Sequence, residues 1–205
     1  MATAGKVGAV LVQTSDAPIA FSDKPMTANA DRTRYTITDA TKRYWNRYAD
    51  FVVEVDGTPI TSGYSIEYAG GVVVFEEALE VGEVVTVSGE YVQVEQLAGF
   101  FNWSLSVNNK TIDVTAYESG EWEEFVLATK NFTVNAEKYW YVDKTFPTLV
   151  GQDVIIVCYT NFGTPKTRFE GWATLGQVDI NSPVNEIINE RLSLTGKDGI
   201  YYRAG

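Results

Sequence analysis

Two stretches of this chain alternate apolar and polar residues without a break. In Phe101-Asn-Trp-Ser-Leu-Ser-Val-Asn, the residues Phe101, Trp103, Leu105 and Val107 fall on one side, with Asn102, Ser104, Ser106 and Asn108 on the other. In Asn131-Phe-Thr-Val-Asn-Ala-Glu, Phe132, Val134 and Ala136 alternate with Thr133, Asn135 and Glu137. Successive side chains of a strand point to opposite faces, so this period of two demands antiparallel sheet with one dry and one solvated face. Twelve Tyr, ten Phe and five Trp, with many Val and Thr, favour sheet elsewhere too. The fold class is mainly β.

Charge narrows what such a surface can hold. From Tyr48 through Asn109, sixty-two residues carry ten carboxylates and no Lys or Arg. A polyanion is held by Lys and Arg that displace counterions from its phosphates, so this acidic segment repels nucleic acid. The net charge of −11 acts the same way and favours solubility. Up to Ala98 the balance is 7 basic less 14 acidic, or −7; beyond it, 9 less 13, or −4. Acidity is general and not confined to a tail.

Three segments are expected. Residues 1–34 hold a short strand at Val7 to Gln13, then an extended arm from Thr14 to Arg34 broken by Pro18 and Pro25. Residues 35–95 open on a helix capped by Thr38. Asp39 lies in its first turn, Lys42, Arg43 and Arg47 lie toward its end, and Ile37, Tyr44, Trp45 and Tyr48 share a face. Its basic cluster reads as a solvated face or as a partner for acidic sheet surface. A four-strand hairpin module follows, punctuated by Asp56-Gly57 and Gly70-Gly71. After the joint at Gln96-Leu-Ala-Gly, residues 96–205 carry longer strands, and Ser119 opens a short helix including Glu121, Trp122, Phe125 and Val126.

Catalytic chemistry finds little to stand on. The chain has no histidine, which removes the commonest general base and metal ligand. Its one cysteine, Cys158, sits in the apolar run Val154-Ile-Ile-Val-Cys-Tyr and reads as a core thiol; a single cysteine also excludes an internal disulfide. Glu76-Glu77 and Glu123-Glu124 are adjacent carboxylates, but a glycosidase needs two carboxyl groups at a set separation across one bond. No enzyme, cofactor or metal is expected. No secretion signal or membrane-spanning stretch of about eighteen apolar residues is expected either.

The order of motifs in the second half resembles the tail tube (major tail) proteins of long-tailed, non-contractile bacteriophages. The likeness is carried by the strand around Trp103-Ser-Leu, Ile112-Asp-Val-Thr-Ala-Tyr, the loop with Gly120-Glu-Trp-Glu-Glu-Phe, Phe132-Thr-Val-Asn, the Val154 to Tyr159 hairpin, Phe169-Glu-Gly-Trp-Ala, and a close on Ile187 to Leu194 and Gly199-Ile-Tyr-Tyr. The Val-Asp-Gly, Tyr-Ser-Ile and Gly-Gly-Val-Val-Val-Phe hairpins resemble insertions in phage structural proteins, as does the Ile37-Thr-Asp-Ala-Thr-Lys-Arg-Tyr-Trp start. The resemblance implies a two-sheet β-sandwich with one or two short helices. Inner sheets would join into a barrel, hexameric rings would stack into a tube, and DNA would pass through without specific binding. It also implies tail tip, terminator and tape-measure partners, assembly in the host cytoplasm and a place in the virion.

On that reading the polar strand faces line the bore, at Asn102, Ser104, Ser106, Thr133, Asn135, Glu137 and Glu170; the same residues fit a face turned to outside water, and a one-residue slip inverts them. The N-terminal arm and the Asn108–Trp122 loop are the ring-to-ring contacts, through Asn108, Asn109, Lys110, Tyr117, Glu118, Glu121 and Trp122. The alternative is a carbohydrate- or receptor-binding β-sandwich of a virion, marked by exposed Trp and Tyr on one flat sheet face. A hydrolase built on Glu and Asp is a third reading.

Overall fold

The computed structural model describes residues 9–14, 16–96, 100–115, 123, 125–140, 149–184 and 186–204. Its strands are β1 (Ala9–Gln13), β2 (Ile19–Ala28), β3 (Arg34–Ile37), β4 (Val52–Val55), β5 (Thr58–Ile60), β6 (Tyr64–Glu67), β7 (Val72–Phe75), β8 (Val85–Tyr91), β9 (Val94–Gln96), β10 (Phe100–Asp113), β11 (Phe125–Tyr139), β12 (Asp153–Asn161), β13 (Thr167–Asn181) and β14 (Asn189–Ala204). The fold is mainly β, built on two antiparallel seven-stranded sheets. Its contacts divide the chain into two units. Unit 1 is Met1–Leu97, Ile155–Trp172 and Tyr201–Gly205; unit 2 is Ala98–Val154 and Ala173–Ile200.

Unit 1 contains a complete sheet in the order β5-β4-β8-β2-β3-β7-β6. The β4–β5 hairpin turns on Asp56-Gly57, with φ of +50° and +73°. Positive φ at both central residues is what a two-residue turn needs to match the strand twist, and Gly reaches it without steric cost. Strand β2 changes partner along its length: Ile19 to Pro25 pair with β8, and Met26 to Ala28 pair with β3. A register shift between Phe21 and Lys24, where Asp23 has φ +50°, bends the strand. Phe21, Tyr35, Ile37, Trp45, Val53, Val73, Phe75, Val85 and Val87 form its buried core. Full burial of each such aliphatic or Phe side chain contributes about 1.5–3 kcal/mol.

Two expectations for this region give way. The segment Thr14 to Arg34 is no loose arm, because β2 is a paired strand within it. The helix expected after Thr38 shrinks to one 3-10 turn, Ala40–Lys42, capped by Asp39 through the Thr41 amide. The aromatic pair Tyr44-Trp45 explains why. Trp45 N–H donates to Tyr68 O at 2.9 Å and Val92 N–H donates to Tyr44 O at 2.7 Å, so the backbone bonds that a helix would keep go to other strands. Extended backbone also sends the two rings to different cores: Trp45 packs with Phe21, and Tyr44 packs with Ile155, Val157 and Trp172.

In unit 2 the strand order is β10-β11-β14-β13. Phe132, Val134 and Ala136 of β11 and Leu192 and Leu194 of β14 are buried on one side, with Leu149, Val154, Ala173 and Leu175. Lys138 and Glu190 face each other across the β11–β14 ladder, both buried, with Lys138 Nζ 3.1 Å from Glu190 Oε2. Phe125 and Val126, expected in a short helix, begin β11 instead; Ser119, Glu121 and Trp122 lie outside the described residues.

Candidate assembly surface

The polar halves of the two alternating segments meet on one sheet face. Directly opposed antiparallel residues share a face, and β10 and β11 pair Asn102 with Glu137, Ser104 with Asn135, and Ser106 with Thr133. The next strand continues each rung: Glu137 opposes Arg191, Asn135 opposes Ser193, and Thr133 opposes Thr195. These three β14 residues were not among the expected site residues. The signal is there in Arg191-Leu-Ser-Leu-Thr, where Leu192 and Leu194 are buried and their neighbours are not.

The three rungs carry one carboxylate and one guanidinium, so the face is near neutral and not acidic. Arg191 Nε donates to Glu137 Oε1 at 2.9 Å, and Asn102 Nδ2 donates to Glu137 Oε2 at 3.2 Å. Those two donors hold the Glu137 carboxyl below the usual carboxylate range, Arg191 contributing most. With Ser104 and Asn135 they line a shallow cleft of about 260 Å³. A surface of amides, hydroxyls and one Glu137–Arg191 ion pair has no net positive charge to hold a phosphate chain.

Glu170 departs from that expectation. It is fully buried, accepting from Arg168 Nε at 2.6 Å and from Arg203 Nε at 3.0 Å. Arg203 also reaches Glu67, which in turn meets Arg34. Parity along β13 placed Glu170 on a polar face, but a buried carboxylate is tolerated only when paired, and the arginines supply that pairing.

β10 ends the sheet order, so among the described residues no strand pairs with its outer side. Beyond Leu105 every residue from Ser106 to Asp113 is exposed, as are Val126, Thr129, Lys130 and Asn131 on β11. Here the described side chains of a two-stranded ribbon are exposed, Val107, Ile112 and Val126 among them. Such a ribbon has little stability alone, and a long unpaired edge invites another strand. Asn108, Asn109 and Lys110 lie on this ribbon; Tyr117, Glu118, Glu121 and Trp122 lie outside the described residues.

Other chemistry is sparse among the described residues. Cys158 is buried, and burial pushes its thiol up to about 12. Glu76, Glu77 and Glu123 are exposed, and no group of three or more His, Cys, Asp or Glu is placed to hold a metal. Trp45 and Trp172 are buried, and Trp103 and Trp140 half-buried, so no described Trp offers an exposed sugar-stacking ring. No described helix is long and apolar enough to cross a membrane.

No protein-family model matches the chain, and no curated protein matches it. Two solved structures share part of its course. One, the tail of an empty gene transfer agent (GTA) particle refined helically with C6 symmetry, matches 55% of this chain and 87% of its own at 20% identity and a TM-score of 0.42. The other, the virion of a native gene transfer agent particle, matches 54% of this chain and 89% of its own at 16% identity and a TM-score of 0.41.

Proposed function

We propose that the chain is a structural subunit of a virion tail. Identical copies close into hexameric rings, the rings stack into a tube, and the bore conducts DNA without gripping it. The observation that carries this reading is the β10 edge. A fourteen-residue outer strand with an exposed ribbon is a costly thing to leave in water, and a second copy of the same sheet covers it. The rungs Asn102–Glu137–Arg191, Ser104–Asn135–Ser193 and Ser106–Thr133–Thr195 then become the bore wall, polar enough to stay wet and too neutral to hold phosphates. The chain acts by geometry and performs no catalysis. Tail tip, terminator and tape-measure proteins are its partners, and it assembles in the host cytoplasm.

Electron microscopy of concentrated protein, alone and with a tail-tip seed, tests this. The expected particles are rings or tubes with an open centre and sixfold symmetry. Monomers persisting across concentration, salt and seed would overturn the reading. An adhesion module would instead present exposed Trp and Tyr on a flat face; Trp103 is half-buried, whereas Tyr139 and Tyr202 are exposed.

A further inference from the structure

The two ends of unit 2's four-strand sheet carry opposite charge. At one end a cleft of about 420 Å³ is lined by Glu137, Asp179, Asn189, Glu190 and Arg191; Glu137 is paired with Arg191 and Glu190 with Lys138, so among the described residues Asp179 is the carboxylate left without a cation. At the other a cleft of about 520 Å³ has Lys130, Lys197 and Asp198 as the charged residues among its described lining. Register places them apart: on β11, Glu137 and Lys130 are seven residues distant, about 24 Å of strand. On β14 the first cleft uses Asn189 to Arg191 and the second Gly196 to Ile200.

The acidic end also holds acceptors that no described residue satisfies. Asn189 Oδ1 and Glu190 Oε1 are buried without a hydrogen-bond partner, although Glu190 Oε2 has Lys138 beside it. The basic end has a free cation to offer: Lys130 is exposed and makes no ion pair with any described residue, whereas Lys197 is held 3.6 Å from Asp153.

We propose that the Lys130 end of one copy docks on the Asp179–Glu190 cleft of the next, along the strand direction. The contact is heterologous: each copy offers a different surface at each end, so the interaction propagates into a stack instead of closing a dimer. Opposite charge sets register and polarity and rejects the reversed orientation, in which like charges meet. This supplies the chemistry of ring stacking and rests on the tube reading for its geometry.

Charge reversal at two exposed residues tests the contact. Full-length Asp179→Lys and Lys130→Glu chains, singly and together, are compared with wild type by electron microscopy and sedimentation across salt. Each single variant should form rings but lose stacking, with tube length or end-to-end association falling about tenfold. The double variant, in which Lys at 179 meets Glu at 130, should restore stacking. Tubes that persist in both single variants overturn the proposal, and so does a double variant that fails to recover. Either result leaves the rings, and hence the tube reading, standing. Wild-type chains that form no rings but associate end to end in a salt-sensitive, Lys130-dependent way support the contact and overturn the ring. Chains monomeric under all conditions overturn both.

Discussion

Arg203 donates from Nε to Glu170 Oε1 over 3.0 Å, and this bond joins a chain of alternating charge running Arg168–Glu170–Arg203–Glu67–Arg34 through unit 1. Glu170 is its most deeply buried member. Replacing Glu170 with Gln keeps the shape, leaves Arg168 without its carboxylate and leaves Arg203 with Glu67 alone. The expected loss is about 3–5 kcal/mol, as for other buried pairs broken on one side. Urea denaturation should show a lower midpoint with an unchanged slope.

Gly70 lies against the same bond. A Cβ there would sit 2.6 Å from Glu170 Oε1 and 2.9 Å from Arg203 Nη2, and its φ is +108°. Gly82 has a similar φ of +102° but open space around it. Gly82→Ala should therefore show backbone strain alone, about 1–2 kcal/mol, and Gly70→Ala distinctly more. Equal losses in the two variants would mean that the ion pair yields freely.

Stability should fall at alkaline pH through Cys158 and Tyr44. Burial raises the folded-state Cys158 thiol to about 12, and burial also raises Tyr44. A raised folded value stabilises fully below the unfolded pKa and is lost as pH climbs above it. The decline should begin near pH ~8.5 for the thiol and ~10 for the phenol, each approaching ~1.4 kcal/mol per pH unit. Unfolding measured from pH 7 to 10 should lose the earlier limb in Cys158→Ala. The folded thiol should also resist alkylating reagents until the chain opens.

The acid side has the opposite sign. Arg191 and Asn102 hold Glu137 down, and Lys42 and Thr41 hold Asp39 down. Their contribution is complete above the ordinary carboxylate range of about 4 and disappears as pH falls through the lowered folded values. Arg191→Ala should move the Glu137 titration upward in a carboxyl-detected NMR experiment while leaving Asp39 in place. Both groups are near the surface, so the effect on overall stability should be small.

The dry side of β11 was legible from the period of two in Phe132, Val134 and Ala136, all three buried; the same period in Phe101 to Val107 was not enough for β10, where Phe101 and Val107, expected on the dry side, are exposed because no described layer covers them. Asp56-Gly57 was legible too, since few dipeptides reach positive φ twice at low cost. Cys158 followed from its apolar neighbours. These are local facts, settled within about ten residues by side-chain direction and steric limits.

Glu170, Tyr44-Trp45 and β2 were decided elsewhere. Parity along β13 cannot foresee that Arg168 and Arg203 converge on one carboxylate, because Arg203 lies thirty-three residues away. Helix signals after Thr38 were real, as the Asp39 cap shows, but Tyr68 and Val92 took the backbone bonds and two cores took the rings. The prolines in Thr14 to Arg34 argued for a loop, yet pairing with β8 and β3 outweighed them. Alone, the sequence determined strand character, polarity of faces and the lack of histidine chemistry, since each depends on residue type and spacing. Partner strands, buried charge and the opposed ends of the unit 2 sheet depend on which distant segments meet, and only the folded chain decides that.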